Sequence, residues 1–396
     1  MHRACLSLIA LASTAAGQAP RVIPFEFYGN AIWLEARVNG SRPFHFQLDT
    51  AAGSCVLNRS VADELKLPIL TEFDQANAGS GDRPTHIAVL PAVNIAFAGV
   101  SLDLPRIAAL PLDEVARAYG TFLDGIVGRE FLARYVVRID YDSRTLALYE
   151  PAAFTYTGAG TALPLEIRNG VPVVKLRFGL PGKGAMEGDF LVDAPYPGVV
   201  QFATPFIRDH DLLPAARSLT SRLIPGASEG VGGSGAHEDG RLEWIEFGGR
   251  TLRLPLAAFA EAKAGAFART DIAGIIGGEL LRRFTVTLDC PHNRLILEPG
   301  SHLDDPFEFN SSGLAIKSAG PPHRAFVVAD VAGDTPAAES GIEKGDNILE
   351  FDGQPASALT LWDIRTALRK ADTTHSVRLR RNARDFTVSL HTRKLI

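Results

Sequence analysis

Two aspartates stand out by their surroundings. Asp49 ends the run Phe46-Gln47-Leu48 and is followed by Thr50-Ala51, and Asp193 ends Phe190-Leu191-Val192 and is followed by Ala194-Pro195. A single aspartate closing an apolar strand is an ordinary turn residue or helix cap. A matched pair is different, because two carboxylates brought together cannot both ionise easily and share a proton. One, ionised, can take a proton from water while the other, protonated, gives one to an acceptor.

An internal repeat supports treating them as a pair. Gly125–Glu150 and Gly274–Pro299 align without gaps at an offset of 149, with ten of 26 positions identical. The matches include Gly128/Gly277, Glu130/Glu279, Leu132/Leu281, Arg134/Arg283 and Asp140/Asp289. This period is too long for a solenoid and implies a duplicated lobe. Each aspartate lies upstream of its copy, after strand-like segments. Ile32–Val38 and Pro43–Leu48 are joined by Asn39-Gly40, a tight-hairpin signal. Val171–Phe178 precedes the second. Helix-like stretches follow at Ser60–Leu67 and Thr204–Leu212. Mid-lobe glycine-rich runs, Gly79-Ser80-Gly81 and Gly230 to Gly235, are expected as hairpin tips folding over a cleft, with Gly79, Ser80, Gly81, Gly233 and Ser234 touching substrate. Gly233-Ser234-Gly235 lacks the Gly-x-Ser-x-Gly elbow of a serine hydrolase.

The pattern resembles the retropepsin-like and pepsin-like aspartic proteases, whose lobes carry apolar-apolar-Asp-Thr/Ser-Gly and later apolar-apolar-Gly before a short helix. Here these read Leu48-Asp49-Thr50-Ala51 with Ile126-Val127-Gly128, and Val192-Asp193-Ala194-Pro195 with Ile275-Ile276-Gly277. The resemblance spans roughly residues 22 to 300. It implies a mainly β fold of two homologous acid-protease β-barrel lobes sharing a central cleft. It also implies catalysis by Asp49 and Asp193, with Thr50 positioning them. Three departures stand out. Ala51 replaces a glycine, and Ala194 replaces a hydroxyl residue that in the family braces the dyad. Pro195 replaces a glycine and removes an N–H that in the family holds the carboxylate. A second reading follows from Ala194 and Pro195, that of a catalytically impaired, protease-like peptide-binding protein.

After a polar segment, Gly300 to Phe309, that reads as a linker, a third module begins. Ser312-Gly313-Leu314-Ala315-Ile316, the run Thr335-Pro336-Ala337-Ala338-Glu339-Ser340-Gly341-Ile342 and Lys344 to Gly353 resemble a bacterial PDZ domain, a small α+β fold. Apolar residues at helical spacing predict a groove helix over Leu359–Arg369. Such a groove adds an extended peptide to a sheet edge. Gly313, Leu314, Ala315 and Ile316 are the expected cradle for a peptide C-terminus.

The remaining signals set context. Met1-His2-Arg3, an apolar run to Ala12 and small residues to Ala19 predict a signal peptide over 1–19 and export to a periplasmic or secreted location. No stretch is long enough to span a membrane as a helix. Lys+Arg 40 against Asp+Glu 45 leaves no basic footprint for nucleic acid. No spacing of His and Cys suits a metal, so neither metal nor cofactor is expected. Cys55 and Cys290 could pair or lie buried as thiols. The expected organisation is lobe 1 over 20–155, lobe 2 over 156–300 and a PDZ domain over 310–394. The partners expected are peptides or unfolded proteins.

Overall fold

Asn39 and Gly40 take positive φ of 51° and 73°, and the turn they make lays Ala31–Val38 against Pro43–Leu48. That hairpin starts the first lobe in the computed structural model, which describes residues 19–396 apart from 77, 78, 80, 82 and 221. The expected signal peptide, except for its last residue, and Ser80 lie outside the described residues.

The two lobes repeat one strand pattern. In the first, Pro43–Leu48 runs parallel to Gly125–Val127, which is antiparallel to Val56–Asn58, itself parallel to Ile107–Leu110. In the second, Gly184–Asp193, Gly274–Gly277, Val200–Phe202 and Leu256–Ala260 follow the same sequence of directions. The lobes meet edge to edge. Val136–Asp140 pairs antiparallel with Phe284–Asp289, Arg138 standing opposite Thr287. Those two residues are also each other's equivalents at the repeat offset of 149, so a pseudo-two-fold axis passes between them. A single sheet therefore bridges the lobes, flanked by Thr145–Tyr149 with Arg21–Pro24 on one side and Arg294–Pro299 with Thr161–Arg168 on the other. Both lobes share one apolar core, including Phe46, Leu48, Val137, Phe190, Val192 and Leu288.

The short helices match the helical readings but are trimmed: Arg59–Glu64, Thr204–Asp209 and Leu361–Ala367. The last begins at Thr360, whose hydroxyl and the Asp363 carboxylate cap each other's N–H groups in a capping box. It belongs to the C-terminal module, a six-stranded sheet and two short helices around a separate core of Leu314, Ile316, Phe326, Ile348, Leu361 and Leu379.

The segment read as a linker is fixed to the second lobe. Fully buried Arg283 donates to the carbonyls of His302, Leu303 and Asp305 at 3.3, 3.2 and 2.5 Å, and its guanidinium lies 3.7 Å from the Phe307 ring centroid. A buried guanidinium needs several acceptors, and backbone carbonyls supply them here. Cys55 and Cys290 are free, buried thiols, each pushed up to about 12 first of all by burial. Among the described residues no helix is long and apolar enough to cross a membrane.

Candidate active site

Asp49 and Asp193 stand at matching loops beside the lobe interface. The Asp49 N–H donates to the Val127 carbonyl at 2.9 Å, and Asp193 pairs with Gly277. The chain approaches so closely that a Cβ on Gly128 would lie 2.7 Å from the Ser54 oxygen, and one on Gly277 2.4 Å from the Tyr196 oxygen. Glycine is required at both places by contact rather than by backbone angle.

One hydroxyl joins the loops. Thr50, fully buried, donates to the Val192 carbonyl at 2.5 Å and accepts from the Ala194 N–H at 2.9 Å. These partners flank Asp193 on either side, so Thr50 sets one aspartate loop against the other. Ala194 offers no reciprocal bond, and the bracing is one-sided as the sequence implied. The expected consequence of Pro195 is corrected. Ala51 N–H donates to Asp49 Oδ1 at 2.8 Å, and the N–H missing at Pro195 is replaced one residue later by Tyr196, which donates to Asp193 Oδ1 at 3.1 Å. Ala51 is absent from the positive-φ residues, which is why its methyl is tolerated where the family has glycine.

The electrostatics follow from this packing. Burial raises Asp49 to about 6, opposed by the Ala51 and Ala52 N–H groups. Burial and then the Asp49 charge raise Asp193 well above the carboxylate range, opposed by Tyr196 N–H. The pair is thus set to share one proton, with Asp193 its natural holder.

Hairpins from both lobes roof the cleft. Thr71–Gln75 with Thr85–Leu90 comes from one lobe, and Ile224–Gly230 with Gly233–Arg241 from the other. Their tips bond to each other: Gly81 N–H to the Val231 carbonyl at 3.0 Å and Arg83 N–H to the Gly232 carbonyl at 3.1 Å. Gly79 accepts from the Ala266 N–H at 2.9 Å. A Cβ on Gly81 would fall 2.1 Å from Gly232, so a side chain there would push the tips apart. Gly233 has φ of 111°, and Ser234 is exposed at the tip beside it.

Sequence reasoning missed three cleft residues. Tyr119 ends the helix Asp113–Tyr119, and its hydroxyl donates to the Pro195 carbonyl beside Asp193. Burial, then Asp193 and Asp49, push its pKa up. Gln47, on the same strand face as Asp49, is buried with its Nε2 unpaired among the described residues. The Tyr196 ring lines the cleft next to Asp193. The spacing of Gln47 to Asp49 was a usable signal. Tyr119 had none, since it arrives from a helix 70 positions away.

The cleft opens into the PDZ groove as one cavity of about 1640 Å³, lined by both aspartates and by Gly313, Leu314, Ala315 and Ile316. Leu314–Ser318 is the edge strand, and its alternate carbonyls already have donors. Leu314 accepts from Asn310 Nδ2 at 2.9 Å, Ile316 from Arg365 Nη2 at 2.6 Å and Ser318 from Arg117 Nε at 3.2 Å. The Leu314 N–H, expected to be open to a peptide carboxylate, donates to Ser312 Oγ at 3.1 Å. Arg117 comes from the same lobe 1 helix as Tyr119, and Glu114 of that helix meets Lys317 at 3.6 Å.

Comparison with known families agrees with both halves of this description. Residues 34–131 match the family model described as aspartyl protease, and residues 310–392 match the PDZ domain model. No curated protein matches the chain. Among the described residues no cluster of three or more metal-ligating side chains occurs. The chain is thus similar to aspartyl proteases through the lobe that carries Asp49, and to PDZ domains through its C-terminal module.

Proposed function

We propose that the protein is an exported aspartic-type endopeptidase, with a signal peptide over 1–19, lobes over 20–155 and 156–300 and a PDZ domain over 310–394. Asp49, ionised, takes a proton from a water whose oxygen attacks the scissile carbonyl, while Asp193 gives its proton to the carbonyl oxygen. Collapse of the tetrahedral intermediate breaks the C–N bond: the leaving amine takes the proton that Asp49 accepted from water, and a gem-diol hydroxyl returns a proton to Asp193 as the carboxylic acid product forms. The roofing hairpins keep bulk water from the reacting carbonyl. The observation that carries this reading is the Thr50 bridge, which fixes the two aspartate loops against each other.

The PDZ module takes extended peptides or unfolded protein ends and raises their concentration at the cleft. A peptide must first displace Arg117 and Arg365 from the edge carbonyls. That capped edge weighs against the alternative in which the protein cuts nothing and works mainly as a PDZ receptor. The test is digestion of a denatured protein across pH 4 to 8 by the mature chain. Cleavage that is reduced by a pepstatin-type inhibitor and falls about 10²–10⁴-fold in Asp49→Asn is expected. Peptide binding without cleavage at any pH would sink the endopeptidase reading.

A further inference from the structure

The register that makes the lobes equivalent also says which cleft residues correspond. Val56 stands opposite Ile126 and beside Ala108, as Gln201 stands opposite Ile275 and beside Ala258. Ala108 and Ala258 in turn face Val89 and Asp239. Two residues earlier on those hairpin strands come Ile87 and His237, and across from them Phe73 and Gly226. All of these except Ala258 line the cleft.

Three of the corresponding positions carry opposite chemistry, Val56 against Gln201, Ile87 against His237 and Val89 against Asp239, while the position held by Gln75 and Ser228 is polar in both lobes. The lobe 1 wall is Val56, Phe73, Ile87 and Val89, with Phe73 45% exposed although it is a large apolar ring. The lobe 2 wall is a polar row. Ser228 Oγ lies 3.5 Å from Gln201 Oε1 and 3.3 Å from His237 Nδ1, and His237 Nε2 lies 3.4 Å from Asp239 Oδ2. The row ends on Asp239, a quarter exposed, whose Oδ2 faces His237 and which, among the described residues, has no hydrogen bond on Oδ1 and no other ion-pair partner. Half-buried Tyr196, beside Asp193, lines the same cleft and lies within electrostatic reach of both Asp239 and Asp193. At the loop itself the lobes differ in the same sense, with small Ala52 in lobe 1 where lobe 2 has Tyr196.

We infer that the cleft selects a residue pair of unlike chemistry, an apolar side chain against the lobe 1 wall and a basic one, Lys or Arg, whose cation meets Asp239 on the lobe 2 wall. The inference rests on the endopeptidase reading and specifies its substrate. A buried apolar pocket discriminates weakly among aliphatic residues, whereas a carboxylate with a free oxygen rewards a cation that satisfies it.

Two measurements test it. Cut sites in a denatured protein, mapped by mass spectrometry, should show Lys or Arg enriched at one position on one side of the scissile bond and apolar residues on the other. For a peptide with Lys at that position and its norleucine counterpart, the ratio of kcat/KM should be about ten and should fall to about one in Asp239→Asn, while Asp239→Glu keeps most of it. Cleavage with no basic enrichment, or a ratio insensitive to Asp239→Asn, overturns the inference and leaves the endopeptidase reading standing. The second measurement needs no turnover. Asp49→Asn protein should bind the fluorescent Lys peptide about tenfold more tightly than the norleucine one, a preference lost when Asp239→Asn is added. Equal affinity for the two peptides counts against the inference. A clear Lys preference in binding, in a wild-type protein that cuts nothing, upholds it and overturns the catalytic reading instead.

Discussion

At the Asp49 loop the carboxylate is capped by Ala51 N–H, and the residue after it, Ala52, is small; at the Asp193 loop Pro195 offers no N–H, and Tyr196 supplies both the cap and a bulky ring. Thr50 reaches across, and Ala194 cannot reach back. The repeat identities divide in the same way. Glu130 accepts from the Cys55 N–H at 2.7 Å, whereas its equivalent Glu279 accepts from Asn30 Nδ2 at 2.8 Å and pairs with Arg282 and Arg283 at 2.8 and 3.0 Å. Arg134 lies at the surface near the Ser101 carbonyl, while Arg283 is fully buried and anchors the segment leading to the PDZ module. Identity across the repeat therefore marks a shared backbone and not a shared task. Lobe 2 has taken on the attachment of the third module and the polar wall, and lobe 1 has kept the bracing hydroxyl.

The comparison breaks most severely at Thr50. Thr50→Val removes the hydroxyl that joins the two aspartate loops and leaves the Ala194 N–H and the Val192 carbonyl buried and unpaired, at about 1–3 kcal/mol each. The variant should melt measurably lower. Its kcat/KM should fall about a hundredfold, because a shift near 1 Å between the carboxylates has that effect. Thr50→Ser should restore most of both. If Thr50→Val cleaves as well as wild type, the Thr50 bridge is not what sets one aspartate loop against the other.

The unequal carboxylates give the second prediction. A base that ionises near pH 6 and an acid that holds its proton well above the carboxylate range imply a kcat/KM that rises through about pH 6 and falls only at higher pH. The same shifts affect stability. Both groups bind protons more tightly folded than unfolded, so their contribution is complete below about pH 4 and is lost as the pH rises through 6 and beyond. Asp193→Asn should therefore be inactive yet melt higher than wild type at pH 7.5, with the gap closing towards pH 4. A melting temperature lowered at every pH would mean that Asp193 is held by favourable contacts that outweigh its burial.

The strand-Asp-turn pattern, the glycine-rich tips, the repeat and the PDZ motif were legible because each is local: a few consecutive residues fix the turn, the alternation or the close approach. The asymmetry of the site was not local. Tyr196 could replace the donor lost at Pro195 only because the loop brings the next N–H onto the same carboxylate. Tyr119 and Arg117 act at sites 76 and 201 positions away along the chain, and no periodicity connects them. The polar segment 300–309 looked like a free linker because the residue that fixes it, Arg283, lies in the lobe before it.

Arg117 of lobe 1 ties the helix ending at Tyr119 to the PDZ edge strand, whereas Arg222 of lobe 2 reaches the Asp334 carbonyl elsewhere in that module. Arg117→Ala frees the Ser318 carbonyl to pair with an incoming peptide N–H. Because one donor is exchanged for another at a partly exposed site, the gain is about 0.5–1.5 kcal/mol, or a few-fold tighter binding of an extended peptide in a titration followed by anisotropy. Unchanged or weaker binding would mean that the peptide leaves this part of the edge alone.

The smallest effect is expected at Pro195, one of the three departures from the family read in the sequence. Pro195→Gly restores the N–H that lobe 1 has at Ala51, but Tyr196 N–H already occupies Asp193 Oδ1, and the Pro195 carbonyl is already held by Tyr119. A second donor lowers the Asp193 pKa somewhat, which weakens the proton holder, while the added glycine loosens the loop. These act against any benefit of symmetry, so kcat/KM should stay within about threefold of wild type. Its descending pH limb should move to lower pH. A rise beyond tenfold would show that the Tyr196 bond is an inferior substitute and that the two lobes work best alike. A flat rate with a shifted limb would show that the second lobe has settled on a different way of holding the same carboxylate.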